Sequence, residues 1–256
     1  MKNITFLFLL ICSSLFSQNI LIQYETQTIA NDENVEKLFE GSSGEKNDFK
    51  KQLINELTKK RLYHLYVIDS LSYFTEVPIL DNFQTENTNI RFGENEDLFL
   101  VKDLEKQMLY EQVIIDKKYA VTDSLLHFNW EVDDSIKTTI SDIRIQKAKA
   151  LNPKDSTALT AWFTIDEMNF KHGPEKYWGL PGVILELKIE FWEEKSLFES
   201  FTFKATSIAT IQERDKKRIL RRVDLKNPIT KEEYAEKLKA YEKRMTDYYD
   251  EGVSTN

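Results

Sequence analysis

The side chains that could carry out catalysis are few, and their spacing is not typical of an active site. The three histidines are His64, His127 and His172, and none lies at the i, i+4 spacing that places two metal ligands on one helical face. The sequence has no G-x-S-x-G nucleophile elbow and no glycine-rich phosphate loop. It therefore predicts no metal site and no cofactor, and it favours a non-catalytic role.

One loop keeps a catalytic alternative open. His172 follows Asp166 and Glu167 closely, so these three residues could form the loop site of a hydrolase. The simpler interpretation is that His172 is an exposed loop residue. The adjacent acids Asp133-Asp134 and Glu193-Glu194 do not add a second site, because neighbouring residues of a strand point to opposite faces.

A cluster of basic residues contrasts with the net charge of −8. It consists of Arg214, Lys216, Lys217, Arg218, Arg221 and Arg222. A solvated sheet edge would explain the cluster, because lysines at an edge discourage unwanted strand pairing. The alternative is a patch that binds anionic headgroups or an acidic partner. The overall negative charge argues against a nucleic-acid partner.

The N-terminus has the features of a secretory signal peptide in the usual order. A lysine, the apolar run Ile4–Ile11 and small residues up to Ser17 predict that residues 1–17 are removed. The alternative is a lipoprotein signal acylated at Cys12, although Ile11 occupies a position where such signals have a small residue. No later segment approaches the roughly 18 apolar residues that span a bilayer. We therefore expect an exported protein in the periplasm, at the outer membrane or in the medium.

The remaining chain predicts strands, with helices near its two ends. Polar residues 31–47 predict a flexible insertion, and the spacing of Phe49, Leu53 and Leu57 predicts a helix ending near Arg61. Residues 183–191 alternate between apolar and charged side chains, which is typical of an antiparallel sheet with one buried face. The other strand candidates are Ile20–Thr28, a pair starting at Leu62, Leu98–Lys102, Lys106–Ile115, Lys118–Thr122, Thr138–Ala150, Thr157–Ile165 and Phe198–Thr210.

An amphipathic helix is predicted over residues 230–249. Thr230 and Glu233 fit a capping box, and an apolar stripe follows at helical spacing, formed by Tyr234, Leu238, Tyr241, Met245 and Tyr248. We expect this stripe to pack on the sheet, with a partner copy as the alternative. The order of elements predicts an α+β fold, with a predominantly antiparallel, curved β-sheet, an N-terminal helix and this C-terminal amphipathic helix. Residues 18–256 would form one domain.

The most constrained segment runs from His172 to Val183. Three of the seven glycines and two of the five prolines lie in it: Gly173, Pro174, Gly179, Pro181 and Gly182. Proline followed by glycine predicts a type II turn at Pro181-Gly182, with a positive φ at Gly182. Trp178 and Leu180 would then cover the end of the sheet as a plug.

The sequence Gly-Leu-Pro-Gly-Val-Ile at 179–184 is similar to the motif that names the GLPGLI family of exported proteins of Gram-negative bacteria. Further elements match in the family's order, over about residues 62–209: Trp130-Glu131-Val132, Gln146-Lys147-Ala148, Ala161-Trp162-Phe163-Thr164, Gly173-Pro174 and Tyr177. The chain departs from the family at Val183, at Ile145, where members often have cysteine, and at Asp166-Glu167. Because the family has no established activity, the resemblance implies an envelope protein of open function.

The favoured hypothesis is a non-enzymatic envelope protein that binds a lipid, a peptide or another hydrophobic partner. The predicted rim of its site comprises Trp162, Gly173, Pro174, Tyr177, Trp178, Gly179, Leu180, Pro181 and Gly182. One alternative is an envelope hydrolase using the loop near His172. Another is an assembly accessory that docks on an outer-membrane complex through Tyr234, Tyr241 and Tyr248.

Overall fold

The structure is a computed structural model that describes residues 19–39, 46–78, 98–140, 142–165, 168, 170–194, 196–222 and 224–253. The predicted signal peptide, with Cys12, and the pair Asp166-Glu167 lie outside the described residues. The strands are β1 (Ile20–Ala30), β2 (Leu62–Ile68), β3 (Leu71–Val77), β4 (Phe99–Asp103), β5 (Met108–Ile114), β6 (Lys118–Ser124), β7 (Glu131–Ile140), β8 (Ile143–Leu151), β9 (Ala158–Thr164), β10 (Ile184–Glu190) and β11 (Phe198–Thr210). The helices are α1 (Asp32–Leu38), α2 (Lys46–Thr58), α3 (Glu213–Leu220) and α4 (Lys231–Val253).

The described strands form one open antiparallel sheet in the order β6-β5-β4-β3-β2-β1-β11-β10-β9-β8-β7. Each half of this order follows the chain, so β1 to β6 and β7 to β11 are two meanders. The two meanders join where β1 pairs along its length with β11, from Ile20 opposite Thr210 to Ala30 opposite Phe198.

The predicted α+β class with a curved sheet is wrong. A single eleven-stranded sheet that does not curl dominates the structure, and only 23% of the residues are helical. The reason is the position of β1, which pairs with β2 on one side and with β11 on the other. The two strand series therefore merge edge to edge, and the helices remain short additions to one sheet.

Local predictions succeeded where the periodicity was clear. The helix through Leu53 is confirmed as α2, and the capping box at α4 forms, with the Glu233 amide donating to Thr230 Oγ1 at 3.2 Å. The segment Thr138–Ala150 is not one strand, because the chain turns back near Asp142, whose φ is +65°. The flexible insertion predicted at 31–47 instead contains α1, which Asn31 caps by accepting a hydrogen bond from the Asn34 amide.

Side-chain alternation gives the sheet two apolar faces. The first, the loop face, is built around buried Tyr24, Leu65, Phe74, Leu100 and Phe203. The second, the α3 face, is built around Tyr66, Tyr73, Phe99 and Val101, and Ile219 of α3 packs on it. Because consecutive residues of β2 to β4 enter different cores, these strands are buried on both sides.

Candidate functional site

The segment from His172 to Val183, which we call the Gly/Pro segment, packs on the loop face and is part of its core. Tyr177, Leu180 and Val183 are almost completely buried there, and Trp178 is 9% exposed. This burial agrees with the plug predicted for Trp178 and Leu180. The structure therefore joins most of the predicted rim residues in one place, although their side chains fill a core.

The backbone prediction for this segment was partly wrong. The glycine with a positive φ is Gly179, at +102°, whereas Gly182 has no such φ. Gly182 is required by space instead, because a Cβ there would lie 1.9 Å from the carbonyl oxygen of Thr164. The Val183 amide donates to Thr164 Oγ1 at 3.0 Å, and this contact explains why the two backbones approach so closely.

A buried lysine fixes the loop that precedes the motif. Lys102 is 1% exposed, and its ammonium donates to the carbonyl oxygens of Gly173, Glu175 and Tyr177, the last two at 2.6 Å and 3.1 Å. Burial lowers the pKa of Lys102 to about 7, while the nearby Glu175 carboxylate acts in the opposite direction. The three carbonyl groups replace water around the amine, so the lysine serves as a structural cross-link.

Three hydrogen bonds from aromatic side chains hold the rest of the segment and the start of β10 in place. Trp130 Nε1 donates to the Trp178 carbonyl at 2.9 Å, and Tyr24 Oη donates to the Ile184 carbonyl at 2.6 Å. The Trp178 indole in turn donates to the Leu126 carbonyl at 2.7 Å. Each bond gives a buried polar group its partner, and together they fix the loop against β1 and the 125–130 connection.

His172 is buried, contrary to the expectation of an exposed loop position. It is 3% exposed, and its Nδ1 atom has no hydrogen-bond partner among the described residues. Burial, with a smaller contribution from Lys102, lowers its pKa to about 3, so the imidazole is neutral at physiological pH. Burial also raises the pKa of the neighbouring Glu175 carboxyl.

Trp162 is partly buried and packs at the margin of the core that contains Tyr177 and Leu180. It pairs with Lys147 across the strands. The Lys147 ammonium lies 5.5 Å from the centre of the Trp162 ring. The assignment of the nine rim residues to a binding site remains a prediction.

A cleft of about 340 Å³ lies further along the sheet, between α2 and strands β1, β2 and β11. Residues from these four elements and their connections line it: Thr26, Thr28, Glu56, Leu57, Lys59, Arg61, Tyr63, Phe198 and Phe201. Its sheet side is an extension of the loop face, since Thr28 is paired with Phe201 and Thr26 with the core residue Phe203. The lining is mostly apolar, with charges confined to the α2 side.

Arg61 is ion-paired with two carboxylates at the cleft, and Lys59 is the second cation that lines it. The Arg61 guanidinium lies 3.2 Å from Glu56 and 3.8 Å from Glu76. Backbone contacts with Thr26 hold the residue in place, because the Thr26 amide donates to the Arg61 carbonyl at 2.9 Å. Burial raises the pKa of Tyr63 to about 12, which keeps that hydroxyl uncharged. Sequence reasoning missed this cleft, and the only sequence signal was threonine at two inward positions of β1.

The basic cluster belongs to α3 and the turn after it, so its interpretation as a sheet edge was wrong. Arg214, Lys217, Arg218 and Arg221 are exposed, and Lys216 is half-buried. Arg222 instead lies over the Phe99 ring, 4.5 Å from its centre, and donates to Thr75 Oγ1 at 2.9 Å. An anion-binding role for the cluster remains a prediction.

The tyrosine stripe of α4 becomes more exposed along the helix. The chain enters α4 beside the edge strand β6, where the Ile229 amide donates to the Ala120 carbonyl at 2.8 Å. Tyr234 and Tyr241 are half-buried, whereas Tyr248 is 73% exposed. The tyrosine stripe therefore packs only at the edge of the sheet, beside β6.

The described part of the chain contains no group of three or more acidic, histidine or cysteine side chains arranged to hold a metal ion. Within the same residues, no helix combines the length and the apolar composition needed to cross a bilayer.

Comparison with known families gives one match. Residues 114–186 match the model of a family described as "Protein of unknown function (Porph_ging)". The chain is therefore similar to a family of unknown function over β6 to β9 and the Gly/Pro segment, while the name GLPGLI is not confirmed. No curated protein matches the sequence significantly.

Comparison with solved structures gives a similarity in fold to PNGF-II. The structure of PNGF-II superposes with a TM-score of 0.51 at 13% identity, covering 87% of this chain and 32% of that chain. This chain thus spans about a third of the length of PNGF-II, and the likeness concerns the fold alone. A LolA superfamily protein, NE2245 from Nitrosomonas europaea, gives a TM-score of 0.28 at 9% identity, with 79% of this chain and 90% of that chain covered. That score is too low to support an argument about fold or ligand.

Proposed function

We propose that the protein is a non-catalytic binding protein that holds an apolar ligand in the cleft between α2 and the sheet. The observation that carries this proposal is the cleft itself, which leaves part of the loop face unfilled beside Tyr63 and Phe201. Ligand sites are typically concave and mostly apolar, with a few polar groups that fix orientation.

The charges of the cleft favour an uncharged group in its interior. Arg61 and Lys59 together balance the carboxylates of Glu56 and Glu76, and the Tyr63 hydroxyl stays protonated. A charged group placed beside this network would lose its hydration without gaining an unpaired counter-ion. The ligand is therefore an acyl chain or the apolar side chains of a peptide, with any charged part outside.

The site also sets a limit on size. Ligand pockets usually have volumes of roughly 300–1,000 Å³, and the cleft, at about 340 Å³, lies at the lower end of that range. It therefore accommodates one apolar chain or one or two large side chains. Leu57 of α2 lines the side opposite the sheet, so the ligand would lie between helix and strands.

The cellular setting belongs to the same proposal. Export after removal of residues 1–17 would place the protein in the envelope of a Gram-negative cell, as the resemblance to GLPGLI proteins implies. Purification from the native host followed by N-terminal sequencing tests this. We expect the mature chain to begin at Gln18, and a chain that still begins at Met1 would contradict export.

Filling the cleft tests the binding function. Thr28 points into the cleft, and Gln27 on the same strand is exposed, so Thr28→Phe and Gln27→Phe form a matched pair. Binding of the fluorescent apolar probe N-phenyl-1-naphthylamine is measured for both variants and for the wild type. We expect Thr28→Phe to weaken binding about tenfold or more, because the new ring occupies the space of the ligand. Gln27→Phe should bind like the wild type.

Two results would contradict the proposal. One is a wild-type protein that neither binds the probe nor yields any lipid or peptide by mass spectrometry after gentle purification. The other is equal probe binding by both phenylalanine variants. Unchanged circular dichroism spectra would show that the variants are folded.

A second candidate function rests on α4. The exposed part of its stripe, with Met245 36% and Tyr248 73% exposed, could dock on a partner in an outer-membrane complex. Cross-linking in native envelopes with the wild type and with Tyr248→Ser tests this role. A partner captured equally by both proteins would rule out the stripe as its docking site.

A further inference from the structure

One end of the sheet presents several large apolar side chains to solvent. Trp192 is 76% exposed, Leu38 58%, Ile29 45% and Phe49 38%. They come from the β10–β11 hairpin, α1, β1 and α2, respectively. We call this region the hairpin end. Single exposed apolar residues are ordinary, but a group on adjoining elements marks an interaction surface.

Direct contacts join these elements to each other. The Asn31 amide donates to the Leu197 carbonyl, and Asn34 Nδ2 donates to the Ser196 carbonyl, each at 2.8 Å. These bonds fix α1 against the hairpin. On the other side of α1, the rings of Phe39 and Phe49 lie 5.9 Å apart, which joins α1 to α2. The four exposed side chains therefore surround one connected corner of the fold.

This corner is continuous with the cleft. Phe198, a cleft residue, begins β11 just after the hairpin. The Phe191 and Phe198 rings lie 6.0 Å apart, so apolar surface extends from the hairpin toward the cleft. A ligand leaving the cleft at this end would pass among the exposed apolar side chains.

We propose that the hairpin end docks on the surface of a lipid bilayer and that apolar ligands enter and leave the cleft there. The inference rests on the proposed binding function, because an apolar ligand partitions into lipid and is scarce in water. Tryptophan suits such a contact, since its indole is apolar and its N–H prefers the wet headgroup region. The partner is thus a membrane, with a second protein or a second copy of the chain as rival outcomes.

The charges around the hairpin end specify the kind of lipid. Glu193, Glu194 and Glu199 are exposed at or beside the hairpin, and Lys195 is the one basic residue of its sequence, so the hairpin has a net negative charge. On α1, Glu33 and Glu36 are paired with Lys37 and Lys50, so these lysines offer little attraction for anionic headgroups. An acidic contact surface is repelled by anionic lipid, so the expected partner is zwitterionic.

Association with vesicles tests the proposal. The full mature chain is incubated with phosphatidylcholine vesicles and, separately, with vesicles containing one-third phosphatidylglycerol, and the bound fraction is measured by flotation. Leu38→Ser and Ile114→Ser are matched variants, because Leu38 is 58% exposed at the hairpin end and Ile114 is 57% exposed on distant β5. Trp192→Ser is the third variant.

We expect the wild type to bind phosphatidylcholine vesicles, with at least a threefold loss for Leu38→Ser and a larger loss for Trp192→Ser. Ile114→Ser should bind normally, and phosphatidylglycerol should reduce binding. Absence of wild-type binding, equal binding by all variants, or binding only to anionic vesicles would each overturn the proposal. Analytical ultracentrifugation of the wild type and of Trp192→Ser separates a membrane contact from a dimer interface. If Trp192→Ser loses vesicle binding but self-associates to the same extent as the wild type, the hairpin end contacts the membrane.

A solution assay separates this inference from the proposed function. Trp192→Ser should still bind N-phenyl-1-naphthylamine in the absence of vesicles, because Trp192 does not line the cleft. If the wild type binds the probe but not the vesicles, the inferred membrane contact is wrong and the proposed binding function stands. If the wild type binds the vesicles but not the probe, the proposed binding function is wrong, and the inferred ligand exchange is wrong as well.

Discussion

The two regions of the loop face differ in how their polar groups are satisfied. Under the Gly/Pro segment, Lys102, Trp130 and Tyr24 each donate to backbone carbonyls, and most of the segment's apolar side chains are almost completely buried. We call this part of the loop face the sealed region. Beside α2, the ion pair Arg61–Glu56, whose side chains are 23% and 25% exposed, takes the place of such bonds, and a cleft remains. Buried donors to backbone fix one geometry, whereas an ion pair between two partly exposed side chains can rearrange. The region under the Gly/Pro segment therefore has one fixed geometry, whereas the region beside α2 can admit a ligand.

The largest expected effect comes from Gly182→Ala. The new Cβ would meet the Thr164 carbonyl oxygen at 1.9 Å, so the two backbones must separate, at a cost of about 3 kcal/mol or more. Gly179→Ala is the control within the same loop. A Cβ there would make ordinary contact with the Trp130 indole, 3.7 Å away, but the φ is +102°, so the substitution should cost about 1–2 kcal/mol. Urea unfolding measures both, and a smaller loss for Gly182→Ala than for Gly179→Ala would contradict the packing argument.

Lys102→Met should have the next largest effect. The substitution keeps an apolar stem of similar length but leaves the carbonyl groups of Gly173, Glu175 and Tyr177 without their buried donor. We expect a loss of about 3 kcal/mol in the free energy of unfolding. Lys149→Met, on an exposed strand position, should change it by less than about 0.5 kcal/mol. Equal effects would show that the lysine is not a cross-link.

His172 makes the sealed region sensitive to acid. Because the folded pKa is about 3 and the ordinary value is 6.5, the unfolded chain binds this proton first as the pH falls. Stability is therefore lost progressively between about pH 6.5 and pH 3, by up to about 1.4 kcal/mol per pH unit. His172→Gln should reduce the stability difference between pH 7 and pH 5, whatever its effect at pH 7. An unchanged difference would mean that His172 does not contribute to acid sensitivity.

The smallest effect is expected at the cleft. Leu57 is half-buried above it, so Leu57→Ala should cost about 1 kcal/mol or less. Leu180→Ala, in the sealed region where the side chain is 1% exposed, should cost about 3 kcal/mol. Thermal and urea unfolding measure both variants. Similar losses would contradict the distinction between a filled and an unfilled half of the face.

Sequence periodicity identified most of the strands but not their assembly. The alternation of residues 183–191 and the apolar runs around Tyr63 and Phe203 predicted strands that are present. Nothing in them specified that β1 would pair with β11, because pairing partners distant in sequence leave no periodic signal. Helices α1 and α3 were missed since each buries very few apolar side chains, such as Val35 and Ile219.

The candidate site was harder to predict than the fold. Composition singled out the Gly/Pro segment as constrained in its backbone, yet the reason predicted for Gly182 was wrong, because a steric contact with Thr164 depends on a distant strand. Lys102 reads as an ordinary surface residue in the sequence Phe-Leu-Val-Lys-Asp, and its burial follows only from the loop that covers it. The cleft has no motif at all, since it is a gap between side chains of four elements.

The pairing of β1 with β11 has a consequence for the order of assembly. The first strand of the sheet cannot complete its hydrogen bonds until the last strand has emerged, some 170 residues later along the chain. Until then the first meander has an unpaired edge eleven residues long, which invites aggregation. Contacts this distant in sequence also make folding slow. A chain that crosses a membrane before folding would thus need protection at β1 throughout its synthesis and transit.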